Sequence, residues 1–153
     1  MRARILVLAV AIPLVACGSG GPLTHAELVK RADATCSDAF AQVREIGADL
    51  PESDAASVEA WADALGRTIP ILEAMVDDLR GLEPPLADAD GFGALLAAYD
   101  RALTALEEVR SAAEAGDHGD MSRPSEDATL AWVEADHVAD RLGLEGCKLL
   151  GEG

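Results

Sequence analysis

Helical periodicity is clearest in residues 125–147, which read SEDATLAWVEADHVADRLGLEGC. Ser125 stands where an N-cap belongs, and the two acidic residues after it would oppose the helix dipole in the first turn. Gly143 fits a left-handed C-terminal turn, and Leu144 is the apolar residue that usually packs back on such a helix. The apolar residues recur every three or four positions and predict one buried face, formed by Ala128, Ala131, Trp132, Ala135, Val138, Ala139 and Leu142.

The same spacing recurs three times before this stretch, and no segment has the alternation of a strand. The first of these helices opens at Thr24 with Glu27 three residues later, which is the pattern of a capping box. Its predicted buried positions are Leu28, Ala32, Cys36, Ala39, Phe40, Val43 and Ile46.

The second and third helices are bounded by caps and breakers. The second begins near Ser53 or Asp54 and stops at Gly81, and the third begins after Asp88 or Asp90. The predicted buried face of the second contains Val58, Trp61, Ala62, Leu65, Ile69, Leu72, Val76 and Leu79. That of the third contains Phe92, Leu95, Leu96, Tyr99, Leu103, Leu106, Val109 and Ala113.

Four amphipathic helices with short connections predict an all-α, up-down-up-down four-helix bundle over residues 24–150. Helices 1 and 4 are neighbours in that topology. Pro70 falls inside the second helix, where its ring crowds the carbonyl of Gly66 and favours a bend. Such bends sometimes line ligand pockets, although most are only bends.

The N-terminal residues have the features of an export signal. Arg2 and Arg4 precede twelve uncharged residues, 5–16. This run matches a signal-peptide core and is shorter than the roughly 20 residues of a membrane-spanning helix. It ends Leu-Val-Ala-Cys, similar to a lipobox, which implies cleavage after residue 16 and a diacylglyceryl group on Cys17. The alternative is an ordinary secretory signal with a chance cysteine.

The lipobox defines the expected membrane attachment. Two acyl chains on Cys17 would anchor the chain stably, since one chain alone binds only marginally. Residues 17–23 then form a short flexible tether between the lipid and the bundle. The expected location is the outer face of the bacterial cytoplasmic membrane, with no membrane-spanning helix.

Charge excludes some partners. The full chain has 12 basic and 28 acidic residues. Without the signal, 10 basic residues face 28 acidic ones, which is a net charge of −18. Nucleic-acid binding is not expected, because it depends on lysine and arginine neutralising phosphates.

Cys36 and Cys147 are the other two cysteines. Disulfides persist in the oxidising compartment that export implies, and an acylated Cys17 leaves only this pairing. The bond would join the first helix to the C-terminal tail. The alternative is a pair of free or metal-binding thiols, although two cysteines without nearby histidines make a poor zinc site.

Catalytic and metal motifs are missing from the sequence. Asp117, His118 and Asp120 share one loop, and Asp136 lies beside His137, but neither group has a recognised ligand spacing. They are interpreted as exposed polar residues. The sequence therefore predicts neither an enzyme nor a metal site, and no cofactor is expected.

The two tryptophans give another hint of a ligand site. Trp61 and Trp132 fall on the predicted buried faces of the second and fourth helices, where core packing is the usual role. They could instead line an apolar pocket, because the many alanines around them fill space poorly next to a large ring.

Several features together resemble a group of small secreted or lipid-anchored helical proteins from high-GC Gram-positive bacteria. They are the lipobox, the cysteine midway along the first helix, the Leu-Glu-Pro-Pro at 82–85, the Ala-Gly-Asp at 115–117 and the Gly-Leu-x-x-Cys ending at 143–147. The resemblance implies the helical fold and the Cys36–Cys147 pairing, and it transfers no catalytic residue.

Two functions are expected on these grounds. The first is a lipid-anchored binding or accessory module for a partner in the cell envelope, and the alternative is a carrier of a small apolar ligand in the bundle interior. Exposed apolar residues on the outer helix faces would favour the first, and a sizeable cavity between helices would favour the second.

Overall fold

A computed structural model describes residues 21–50, 57–116 and 120–150. Four α-helices run over His25–Ala48 (α1), Val58–Arg80 (α2), Ala89–Glu114 (α3) and Ser122–Leu142 (α4), followed by a 3₁₀ turn at Glu145–Cys147. No strand occurs within these ranges, so the predicted all-α class is confirmed. The predicted signal (1–16) and Cys17 lie outside the described residues, as does most of the tether. None of the described helices combines the length and apolarity needed to span a membrane.

Contacts at the helix ends establish the antiparallel order. The amide of Leu23, just before α1, donates to the carbonyl of Glu83, just after α2, at 2.8 Å. Arg80 near the end of α2 pairs with Asp100 in the first half of α3. Each helix packs on the next one along the chain, which confirms the predicted four-helix bundle.

The contact between α1 and α4 is made through side chains and the C-terminal tail. The rings of Phe40 and Trp132 meet edge to face with centroids 5.9 Å apart. The backbone of α1 lies closer to the 3₁₀ turn than to α4. The tail therefore occupies part of the seam that the bundle topology assigns to helices 1 and 4.

The first turn of α1 forms the predicted capping box. The amide of Glu27 donates to the Thr24 hydroxyl at 3.3 Å, and the Thr24 amide donates to the Glu27 carboxylate at 2.9 Å. The Thr24 hydroxyl also donates to that carboxylate at 2.7 Å. The Thr24 backbone and hydroxyl contacts together lower the pKa of Glu27 below its ordinary value of 4.5.

We expect Thr24→Ala to lower the free energy of unfolding by about 1 kcal/mol at neutral pH, because an N-cap is lost. A carboxyl group whose pKa is lowered by folding stabilises the protein at pH values above its ordinary pKa. This stabilisation is lost as the pH falls through the folded-state pKa. The loss caused by Thr24→Ala should therefore shrink below about pH 4.5. Urea denaturation at several pH values measures this. Thr104→Ala, which removes an exposed mid-helix hydroxyl, is the matched control and should cause no such loss.

The predicted start of α4 was wrong by one turn. The helix begins at Ser122, and the Ser125 hydroxyl donates to the carbonyl of Met121 at 2.7 Å instead of capping the helix. Pro124 is tolerated there because amides in the first turn have no partner within the helix. The other end is as predicted: Gly143 has φ of 70°, and the buried Leu144 donates to the carbonyl of Ala139 at 2.8 Å.

Pro70 does not end α2, which continues through it from Val58 to Arg80. Ser57 is the N-cap of this helix, and the predicted start near Ser53 or Asp54 lies outside the described residues. Trp61 is 40% exposed, so its predicted place in the core was wrong. It lies in the first turn of α2.

The core is widest around α3, which packs on both α2 and α4. Its buried face is broader than predicted, because small residues on the α4 side are buried while some leucines on the α2 side are only partly covered. Alanine permits close packing here, and the added Cβ of a residue replacing Gly91 would lie 3.0 Å from the Leu142 side chain. The residues buried in addition to those predicted are Ala98, Ala102 and Ala105; those less buried are Leu96, Leu103 and Leu106.

Candidate functional site

The two cysteines form the predicted disulfide. Cys36 and Cys147 are bonded, their Cα atoms are 4.9 Å apart, and both side chains are fully buried. The alternative of two free or metal-binding thiols was therefore wrong. A buried disulfide inside a packed core is a structural bond here.

Tyr99 secures the tail beside the disulfide. Its hydroxyl donates to the carbonyl of Cys147 at 2.7 Å, and the side chain is fully buried. Burial strongly raises the pKa of Tyr99 and is the largest cause of the shift. The nearby carboxylates of Asp136 and Asp33 raise it further. Tyr99 consequently keeps its proton and serves as a hydrogen-bond donor to the tail.

Two carboxylates hold the rest of the tail. Asp33 on α1 accepts the amide of Gly146 at 2.9 Å, and Asp136 on α4 accepts the amides of Leu149 and Leu150, both at 2.9 Å. Partial burial raises the pKa of Asp33 even though the Gly146 amide opposes this. The interpretation of Asp136 as an exposed polar residue was therefore wrong, because the residue is partly buried and bonded to the tail. Nothing in the local sequence signals these bonds, since both join residues that only the folded tail brings together.

The remaining metal candidates from the sequence lie only partly within the described residues. Asp117 and His118 lie outside the described residues, and His137 is exposed on α4. Among the residues that the structure describes, no group of three or more potential ligands could hold a metal ion.

An apolar recess of about 310 Å³ lies between α2, α3 and α4. It is near the end of the bundle where α2 and α4 begin, opposite the end where Leu23 enters α1. Both Trp61 and Trp132 line it. Together with the two tryptophans, the residues that define the recess are Leu65, Leu106, Val109, Met121, Ser125, Ala128 and Thr129.

The tryptophans form two different walls of the recess. Trp132 is 6% exposed and is held from behind by Phe40 and by Tyr99, whose ring centroid is 5.4 Å away. Trp61 is the outer, half-exposed wall. Ala128 is a buried lining residue and does not fill the space that a larger side chain would occupy.

The two hydroxyl groups that line the recess donate their protons to backbone carbonyls. Ser125 donates to the carbonyl of Met121, and Thr129 donates to the carbonyl of Ser125 at 2.9 Å. Each hydroxyl oxygen retains acceptor capacity. These two side chains thus offer a ligand acceptors rather than donors.

Other grooves of the bundle are larger, but polar and charged side chains make up more of their lining. The groove beside Pro70, between α1 and α2, has a volume of about 460 Å³ and includes Asp38, Gln42 and Asp78 in its lining. Those on either side of α3 contain several charged residues each. The recess is distinguished by its apolar lining, which is the usual character of a small-molecule site.

Comparison of the chain with known proteins finds no matching family model, no matching curated protein and no matching solved structure.

Proposed function

We propose that this protein is a lipid-anchored, extracytoplasmic binding module that holds a small, largely apolar ligand in the recess. The observation that carries the proposal is the recess itself, an apolar cavity of about 310 Å³ whose walls include both tryptophans of the chain. This volume is at the lower end of the range for small-molecule sites. We do not propose an enzymatic activity.

The proposed lipid anchor would lie at the end of the bundle opposite the recess. Residue 23 enters the bundle at the end where α2 finishes, and Trp61 lies in the first turn of α2 at the other end. A diacylglyceryl group on Cys17 would therefore attach near the end remote from the recess. The mouth of the recess would face away from the membrane and remain open to ligand.

Native mass spectrometry of the protein extracted from its own membrane tests this function. The expected mass is the chain from Cys17 with its acyl groups, less two hydrogens for the disulfide, plus a reproducible small molecule. Trp61→Ala should lose the extra mass, because it removes the outer wall without disturbing the core. Leu130→Ala, at an exposed site outside the recess, should retain it. Absence of any bound species would contradict ligand carriage, and unacylated protein would contradict the anchor.

A second candidate is docking of an envelope protein on the outer face of α4. Leu130 is 67% exposed and Val133, one turn further, is 37% exposed. Two apolar side chains on one face of a charged bundle suit a partner with an apolar patch. In the same experiment this function predicts a co-extracted protein of fixed stoichiometry that Leu130→Asp removes and Trp61→Ala does not.

A further inference from the structure

We propose that the ligand of the recess is a small organic cation with an apolar body, of the arylalkyl-ammonium type. This inference rests on the proposed function and specifies the ligand class. An apolar part would fill the space beside Ala128, and an ammonium group would lie at the mouth near Thr129. Three independent observations support a cation over a neutral or anionic ligand.

The first observation is the aromatic lining. Trp61 and Trp132 both belong to the recess, and tryptophan is the aromatic side chain whose face attracts cations most strongly. Trp132 is fixed by the rings of Phe40 and Tyr99, so its position requires little ordering on binding. A preorganised ring loses less entropy when a ligand packs on it.

The second observation is the direction of the hydroxyl bonds. While Ser125 and Thr129 donate to backbone carbonyls, their oxygens are available to accept a hydrogen bond from a ligand. An ammonium group supplies donors and no acceptor, which fits this arrangement. A carboxylate ligand would need donors, which these two residues supply only by giving up their bonds to the backbone carbonyls.

The third observation is charge. The chain carries a formal net charge of −16, which attracts cations and repels both anions and a second copy of the chain. On α3, Arg110 directly follows the lining residue Val109. Its guanidinium pairs with Glu107 at 2.6 Å and Glu114 at 3.4 Å, so its charge is compensated.

The test compares three probes of similar shape: phenethylammonium, neutral propylbenzene and anionic 3-phenylpropanoate. The full chain is reconstituted into vesicles of an uncharged galactolipid, which avoids both detergent and choline headgroups. Since the chain has two tryptophans and both line the recess, tryptophan fluorescence reports on this site. We expect saturable changes with phenethylammonium at about tenfold lower concentration than with propylbenzene, and none with the anion.

Thr129→Val and Thr104→Val form a matched pair of variants. Both threonines are exposed, and both hydroxyls donate to the carbonyl four residues earlier, but Thr104 is outside the recess. Thr129→Val should weaken phenethylammonium binding roughly fivefold and leave propylbenzene unaffected, while Thr104→Val should change neither.

The outcomes separate the two proposals. Equal or tighter binding of propylbenzene would overturn the cation preference while leaving a ligand-binding recess in place. Equal effects of the two valine variants would also overturn it, because the proposed acceptor would then have no role. No fluorescence change with any probe would overturn both the cation preference and the proposed function.

Discussion

Replacing Cys36 and Cys147 together by alanine is expected to lower the free energy of unfolding by about 4 kcal/mol. The bond joins residues 111 apart in sequence, so its loss frees a long loop in the unfolded chain. The chain-entropy model gives about 4–5 kcal/mol for loops of this length, and measured losses in small exported domains are about 2–5 kcal/mol. Since domains of this kind are stable by about 5–15 kcal/mol, the loss is a large part of the total.

Urea denaturation followed by circular dichroism measures this effect, with the reduced native chain as a control. Reduction should destabilise the native protein by a similar amount and leave the double-alanine variant unchanged. A loss of less than about 1 kcal/mol would mean that the hydrogen bonds of Tyr99, Asp33 and Asp136 suffice to hold the tail. The disulfide would then be energetically redundant.

Gly146→Ala is expected to cost about 3 kcal/mol, near the upper end for overpacking a tight site. A Cβ at this position would lie 2.6 Å from the carbonyl oxygen of Asp33 and 2.9 Å from its Cα. It would also lie 2.6 Å from the Ser37 hydroxyl, which can rotate away, but the α1 backbone cannot. The tail must therefore move outward, which stretches the 2.9 Å bond from the Gly146 amide to the Asp33 carboxylate.

Gly93→Ala is the matched control, because an added Cβ there meets nothing within 4 Å. Gly93 lies within α3, where exchange for alanine should stabilise the protein by about 0.5–1 kcal/mol. The two substitutions add the same atom and should shift the thermal midpoint in opposite directions. Destabilisation by both to the same extent would show that the close approach of Gly146 to Asp33 is not what makes that position sensitive.

The helices follow from short-range patterns that are local in the sequence. Thr24 with Glu27, and Gly143 with Leu144, mark two helix ends that the structure confirms. These signals succeed because caps satisfy backbone groups within a few residues. The prediction that Ser125 caps α4 was wrong because a hydroxyl can either cap a helix or donate to the carbonyl four residues earlier. The sequence alone does not distinguish these two bonds.

The disulfide could be predicted from the sequence because few cysteines were available to pair. The recess was only suggested, since the apolar spacing placed both tryptophans on buried faces and could not show that Trp61 is half exposed. The exposure of Trp61 depends on how far α2 extends beyond the main core. In that region the buried apolar residues form a separate small cluster of Leu65, Ile69 and Val109. Packing between helices, and not periodicity along one of them, leaves the space beside Ala128.

The sequence by itself determined the helical class, the paired cysteines and the location of several caps, because each depends on neighbouring residues or on elimination among three cysteines. Only the tertiary structure decided that the tail lies between α1 and α4, held by Asp33, Asp136 and Tyr99. It alone also placed Trp61 and Trp132 on different walls of one cavity. These arrangements join residues from separate helices, and their geometry is set by packing that no single segment encodes.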